Sequence, residues 1–308
     1  MPFDVIALGE TMLSLVARDG PLETATMFDA MHGGAETNAL VALSRAGLRT
    51  AWISRLGDDP AGVRVRDALT LEGVDLRWVR TDPRRPTGLM LRDTVGGVRY
   101  WRSGSAASAI DATDLDGVPL ADARAVIVTG ITAMLGPGTT VAATSFLERA
   151  RGMRVLDPNL RPGLWGSDRA RELVLPLVER CDVLLGGERE LASLVGGSGE
   201  SSARRCAELG PCEVVVKRGA GGACVLDPEG VWLEFQPGAA DDVDPVGAGD
   251  AFNAGYLEAR LAGCSCAEAL EAGALAGAAA AGVFGDVGAR KQEEAFGDVA
   301  ASVRTTDD

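Results

Sequence analysis

With 308 residues, 46% of them hydrophobic, the chain can build one large α/β domain or two small ones around a sizeable core. Aromatic residues make up only 5%, so that core is mainly aliphatic. A formal net charge of −14 argues against nucleic acid or an anionic membrane surface as a partner.

Apolar runs bounded by turns predict core strands at Phe3–Leu8, Thr50–Arg55, Ala125–Thr129, Arg154–Asp157, Val183–Leu185 and Glu213–Lys217. Amphipathic segments between them predict helices at Asn38–Ala46, Ala61–Glu72, Thr139–Ala150, Asp168–Glu179 and Ser201–Leu209. This alternation implies an α/β fold, a mostly parallel sheet with helices on both faces. Sites in such sheets lie beyond the C-terminal strand ends, where Gly9, Gly130 and Asn159 fall. Two stretches break the alternation. Thr11–Ala17 with Ala25–His32, and Thr87–Arg92 with Val98–Ser103, are predicted as antiparallel hairpins, the second turning at Gly96-Gly97. The Ala/Gly-rich run from Ala272 to Gly285 is too short to span a bilayer and is predicted to be a tightly packed buried helix.

Lys217 and Lys291 are the only lysines, so recognition of an anion falls to arginine forks and backbone amides. The six cysteines show no CxxC pairing and His32 is the only histidine, which argues against a structural zinc site and against His-based catalysis. Free thiols suit a reducing cytoplasm. Residues 1–20 carry Asp4 and Glu10 and no basic segment, so no signal peptide is expected and the expected location is cytoplasmic.

The most informative stretch is Asp244-Pro245-Val246-Gly247-Ala248-Gly249-Asp250, a Gly-rich turn that runs into an amphipathic helix. Gly247, Ala248 and Gly249 carry little or no side chain, so their N–H groups can approach a ligand closely. The helix behind them adds its unsatisfied first-turn donors and the positive end of its dipole. Asp250 is either an ordinary first-turn acid or, in a phosphate cradle, the group that takes the proton of an attacking hydroxyl.

This stretch resembles the second signature of the ribokinase-like (pfkB) carbohydrate kinases. Their first signature is matched by His32-Gly33-Gly34-Ala35-Glu36-Thr37-Asn38-Ala39, followed by Leu56-Gly57-Asp58-Asp59 and Gly62. The resemblance runs from roughly residue 5 to residue 290 and implies a ribokinase-like three-layer sandwich, with residues 1–308 forming one domain. The two hairpin insertions, about 11–32 and 87–108, would form a small β-lid over the sugar, shared with a second subunit of a homo-oligomer.

Three further segments resemble the 2-keto-3-deoxygluconate kinases of that family. They are Tyr100-Trp101-Arg102-Ser103-Gly104-Ser105-Ala106-Ala107-Ser108, Thr129-Gly130-Ile131-Thr132, and Asp157-Pro158-Asn159-Leu160-Arg161 continuing to Leu164-Trp165. A sugar acid needs a cation for its carboxylate, and charge-assisted bonds contribute roughly 1.5–3 kcal/mol each. Arg102 and Arg161 supply two guanidiniums. The plainer alternative pairs Arg161 with Asp157 and leaves Arg102 as a solvated charge. By resemblance, Gly34, Tyr100, Arg102, Ile131 and Arg161 line the sugar-acid pocket, and Asp286 matches another acid that faces the substrate, unless it is simply a loop residue. Met90 stands where the subfamily often has Tyr, so one hydroxyl contact is missing.

The resemblance further makes Asp250 the base for the 6-hydroxyl and Gly247 to Gly249 the anion hole. ATP would meet Lys217, Gly219 and Gly222, in a strand and Gly-rich turn similar to the family's KxGxxG loop, together with Gly247 and Gly249. Magnesium would be organised through water by Glu190, although Gly187 replaces the Asn of the family's Asn-x-x-Glu element; a monovalent cation is also admitted. The rivals are a kinase of 2-keto-3-deoxygalactonate, fructose or ribose, a nicotinamide-dependent oxidoreductase, and a silent sugar-binding regulator. The first strand is followed by Gly9-Glu10-Thr11 rather than GxGxxG, which counts against the oxidoreductase. The Asp250 carboxylate counts against the regulator.

Overall fold

The computed structural model describes residues 2–93, 95–161, 166–238 and 243–285. The chain enters through β1 (Val5–Leu8), makes β2 (Met12–Ala17) and β3 (Phe28–Gly33), and returns through α1 (Ala35–Arg45), β4 (Thr50–Gly57), α2 (Pro60–Leu71) and β5 (Asp75–Asp82). Then come β6 (Leu89–Arg92), β7 (Val98–Trp101), β8 (Ala125–Thr129), α3 (Gly130–Met134), α4 (Pro137–Arg149), β9 (Met153–Asp157) and α5 (Ser167–Val178). The last third holds β10 (Val183–Gly187), α6 (Glu188–Val195), α7 (Gly199–Ala207), β11 (Glu213–Lys217), β12 (Ala223–Leu226), β13 (Trp232–Phe235), α8 (Ala248–Leu261) and α9 (Cys266–Ala281).

Among the described residues the strands form two sheets. The nine-stranded one runs β13-β12-β11-β10-β9-β8-β1-β4-β5 and is parallel except at β12 and β13. The four-stranded one runs β3-β2-β6-β7, two antiparallel hairpins joined by a parallel β2–β6 pair. The six predicted core strands are all present, as are both hairpins. β5, β12, β13 and the short helices α3 and α6 were not anticipated.

Period-two alternation sends the sheet's side chains to two cores. Ile6, Leu8, Val126, Val128 and Leu156 pack on one face with Phe146, Leu147, Val174 and Leu191 of α4, α5 and α6. Val5, Ala7, Ala125, Ile127 and Val155 pack on the other with Leu40, Leu43, Leu69, Phe252 and Leu257 of α1, α2 and α8. Helix starts are locally encoded. Asp59 accepts from the Gly62 N–H at 2.7 Å with Pro60 in the first turn of α2, and Ser265 and Glu268 cap α9 reciprocally.

Helix α8, which carries the Gly-rich turn at its head, is fixed at its other end by Glu213. That carboxylate accepts from the Tyr256 hydroxyl at 2.8 Å and pairs with Arg260 at 2.6 Å. Along its length α8 lies close to α9 because Gly255 and Gly277 carry no side chain. A Cβ at Gly255 would lie 2.9 Å from the Ala272 carbonyl, and one at Gly277 3.0 Å from the Ala248 carbonyl. The Ala/Gly-rich run is thus a packed helix, α9, but not a wholly buried one. Leu275 is 50% exposed, and Ala274, Gly277, Ala278 and Ala281 face a cleft. Among the described residues no helix is long and apolar enough to cross a membrane.

Candidate active site

Strands β1, β8, β9, β10 and β11 all end on one side of the main sheet, and the four-stranded lid stands over those ends. Between them lies a cleft of about 990 Å³. At its floor Gly9 makes room for Glu36, since a Cβ there would lie 2.2 Å from the Glu36 Cδ. The fully buried Glu36 accepts on Oε1 from the hydroxyls of Thr129 at 2.7 Å and Thr132 at 2.6 Å, and from the Thr129 N–H at 3.1 Å. Burial raises its pKa, against the lowering pull of those bonds. The contact locks the first turn of α1 onto the end of β8.

That lock places Asn38, whose Nδ2 donates to Asp250 Oδ2 at 2.8 Å. Asp250 is only 8% exposed and sits in the first turn of α8. Burial is the main cause that pushes its carboxyl up to about 7, and the nearby Asp157 charge adds to it. Asn38, Lys217 and Arg161 pull the other way. One turn along α8, Asn253 donates to Asp157 Oδ2 at 2.6 Å, and the Lys217 ammonium donates to Asp157 Oδ2 at 2.8 Å and to Asn253 Oδ1 at 3.0 Å. Lys217 is therefore held at the end of β11 with its charge matched by Asp157.

Gly247 caps α8 in the left-handed region, at φ 85°, a conformation that other residues rarely adopt. A Cβ at Gly249 would meet nothing closer than Lys217 Nζ at 3.7 Å, so its small size leaves space toward the ammonium. The first N–H groups of the helix have no intrahelical acceptor; that of Ala248 donates to the Pro245 carbonyl at 3.3 Å, and Gly247, Ala248 and Gly249 all border the cleft. Gly219 (φ 57°) and Gly222 (φ 84°) frame a tight turn beyond β11, and both line the same cleft. Glu190 lines it too. Its carboxylate accepts from the Gly187 N–H at 2.7 Å, and burial, with Asp157 adding, raises its pKa.

On the lid side the cleft is lined by Gly34, Met90, Tyr100, Arg102, Ile131 and Arg161. Gly34 is required by close approach, because a Cβ would lie 2.5 Å from the Glu10 carbonyl. Arg102 is mostly buried and already paired, its Nη2 lying 2.6 Å from Glu10 Oε2 while Ser105 donates to Glu10 Oε1 at 2.5 Å. Its guanidinium also lies over the Tyr100 ring, 5.8 Å from the centroid. The charge at 102 is therefore compensated and is not the solvated charge of the plainer alternative. Arg161 differs. Asp157 is engaged by Lys217 and Asn253, and among the described residues Arg161 has no ion-pair partner; it donates only to the Leu160 carbonyl at 3.3 Å. Desolvation lowers its pKa, but Tyr100, Asp250, Glu190 and Asp157 outweigh that and raise it, so it keeps its charge, on a residue that is exposed at the cleft.

The geometry thus gathers every described candidate residue at one cleft, and Asp286 lies outside the described residues. Sequence reasoning gave no role to Glu10 or Asn253, read Glu36 and Asn38 only as parts of a signature, and weighed Asp157 only as a partner of Arg161. Asn253 was within reach, since i and i+3 share a helix face with Asp250. Asn159 carries a further signal in its φ of 45°, a left-handed conformation that Asn tolerates where the chain turns sharply off β9.

The chain matches the family model described as pfkB family carbohydrate kinase over residues 3–292. It is 34% identical to a 2-dehydro-3-deoxygluconokinase of Thermoproteus tenax, over 92% of this chain and 89% of that one. It is 32% identical to a 2-dehydro-3-deoxygalactonokinase of Haloferax volcanii, over 93% of each. The crystal structure of a PfkB protein from Polaromonas sp. JS666 superposes with a TM-score of 0.83 at 37% identity, over 95% of this chain and 99% of that one.

The Asp250 environment has a measurable consequence for stability. Its carboxyl, ordinarily at 3.8 in water, is pushed up to about 7 by burial in the folded protein. Between those values the native state binds more protons than the unfolded state, so stability falls as pH rises through this window and stays lowered above it. Asp250→Asn removes that ionisation. The variant should match wild type near the low end of the window and melt at higher temperature above about pH 7, by up to ~4 kcal/mol at 1.36 kcal/mol per unit. Calorimetry across that pH range checks it; a difference independent of pH contradicts a buried, titrating carboxyl.

Proposed function

Because this chain belongs to the pfkB family of carbohydrate kinases, we propose that it transfers the γ-phosphoryl group of ATP to the 6-hydroxyl of 2-keto-3-deoxy-D-gluconate. The observation that carries this reading is the nearly buried Asp250 carboxyl, set beside the Gly247 turn and facing the cleft. A carboxylate with a pKa near neutrality takes a hydroxyl proton more effectively than one near 4. Asn38 holds one oxygen of Asp250 and leaves the other for the sugar hydroxyl. As the proton passes to Asp250, the sugar oxygen attacks the γ-phosphorus in line, the bond from that phosphorus to the bridging oxygen breaks and ADP leaves, and the N–H groups of Gly247, Ala248 and Gly249 meet the charge on the transferred phosphoryl oxygens.

Lys217, steadied by Asp157 and Asn253, faces the phosphates of ATP, with the Gly219 and Gly222 turn walling the nucleotide end. Asp157 and Glu190, hard oxygen donors whose mutual repulsion a cation would relieve, would hold magnesium, which would neutralise triphosphate charge. At Gly187, where the family has Asn, the backbone N–H holds Glu190 instead.

Arg161 is the guanidinium available to the substrate carboxylate, while Arg102 shapes the lid side through Glu10 and Tyr100. A second reading concerns the epimer. Met90 offers no hydroxyl, and one relative is named a 2-dehydro-3-deoxygalactonokinase, so both keto acids are accepted, within about tenfold. Exposed Met27, Phe28 and Trp101 on the lid give a second subunit its surface.

Asp250→Asn should lose about 10²–10⁴-fold in kcat while binding ATP as wild type does. A folded variant that keeps more than about a tenth of wild-type kcat removes the base assignment. For specificity, Arg161→Ala should lower kcat/KM for the keto acid by about 10- to 150-fold, equivalent to roughly 1.5–3 kcal/mol, and scarcely change KM for ATP or turnover of fructose. Equal losses on keto acid, fructose and ATP would make Arg161 structural.

A further inference from the structure

Arg92 ends lid strand β6, next to the turn that Asp93 organises by accepting from the N–H groups of Val95 and Gly97. Its side chain does not stay with the lid. It crosses to Asp244, at 2.9 and 3.2 Å to the two carboxylate oxygens, and both side chains are within 1% of complete burial. Asp244 also accepts from the Val246 N–H at 3.2 Å and the Gly285 N–H at 3.1 Å, and its own N–H donates to the Ala281 carbonyl at 3.0 Å. One residue therefore joins the lid, the end of α9 and the Pro245–Val246 peptide, one short of Gly247.

We propose that Arg92 is a positioning residue for the phosphoryl-binding turn, coupling the lid to the head of α8 through Asp244. The proposal rests on the phosphate role of Gly247 to Gly249 given above and adds a device that no part of that reading requires. The guanidinium does two things. It fixes the carboxylate that holds the Pro245–Val246 peptide, one peptide before Gly247, and so constrains how the chain enters the Gly247 turn. It also neutralises a buried negative charge three residues from a turn that must accept a negatively charged group. Removing the cation leaves that carboxylate unpaired in the protein interior, which is far more damaging than removing both charges together. The chemistry beyond Gly247 then suffers even where sugar and nucleotide still bind.

The test is a cycle of Arg92→Met, Asp244→Asn and the double variant, assayed for kcat, both KM values and thermal stability, with Asp250→Asn beside them. Arg92→Met should lower kcat by at least about 30-fold and change KM for ATP less than about threefold. The double variant should recover at least about fivefold of that kcat, because two coupled charges are non-additive. A role in folding alone would move stability and leave kcat of the folded enzyme near wild type. If Arg92→Met does not fold, the double variant stands in for it, folded and with kcat at least about threefold below wild type. Wild-type kcat in a folded Arg92→Met or double variant overturns the proposal, as do strictly additive losses in kcat. Should Asp250→Asn retain wild-type turnover, the phosphoryl-transfer reading itself fails. An inactive Asp250→Asn with a normal Arg92→Met defeats only the coupling.

Discussion

Two carboxyl groups and one ammonium share the floor of the cleft, and their unequal satisfaction organises the site. Asp157 has Lys217 at 2.8 Å and Asn253 at 2.6 Å, so its charge is matched. Among the described residues Asp250 has only the Asn38 amide at 2.8 Å and is nearly buried, so its charge is not. Desolvation therefore dominates at Asp250, and its carboxyl titrates near neutrality. The helix behind it and the Gly247 turn before it set positive dipole ends where an anionic group can arrive. The rest of the molecule serves that placement. Glu36 locks α1, which carries Asn38; Glu213 fixes the far end of α8; and small residues let α9 press against α8.

The lid side divides its two arginines between different tasks. Arg102 is consumed internally by Glu10 and lies over Tyr100, so it stiffens a wall. Arg161 stands at a sheet end facing Tyr100, Asp250, Glu190 and Asp157 without an ion-pair partner among the described residues. An arginine motif alone does not separate these cases. Residue type and spacing gave both the same role, and only the position of Glu10, distant in sequence from Arg102, distinguishes them.

Central strands were legible because parallel strands covered on both faces are continuous apolar runs, as in Ala125–Thr129 and Glu213–Lys217, whose bounds match the structure. Edge strand β5 was not, because Asp75, Arg77, Arg80 and Asp82 interrupt its apolar pattern where one side meets solvent. β12 and β13 are four residues each, and α3 and α6 span five and eight, too short for a clear period. The Ala/Gly-rich helix was recognised as a packing element but not as a cleft wall, because small residues serve both purposes equally. Within the site, the glycine turns and Asp250 announced themselves through local spacing. Glu10, Asn38, Asp157 and Asn253 act through partners far away in sequence, which neither the motifs that include Asn38 and Asp157 nor the helical spacing of Asn253 reveals.

The central claim is that burial, unrelieved by a full counter-charge, makes Asp250 a base near neutrality. Carbon-13 NMR of aspartate-labelled enzyme, with Asp250→Asn identifying the missing carboxyl resonance, follows this single group through pH. The account predicts a midpoint close to 7. A midpoint near the ordinary aspartate value of about 4 would contradict it.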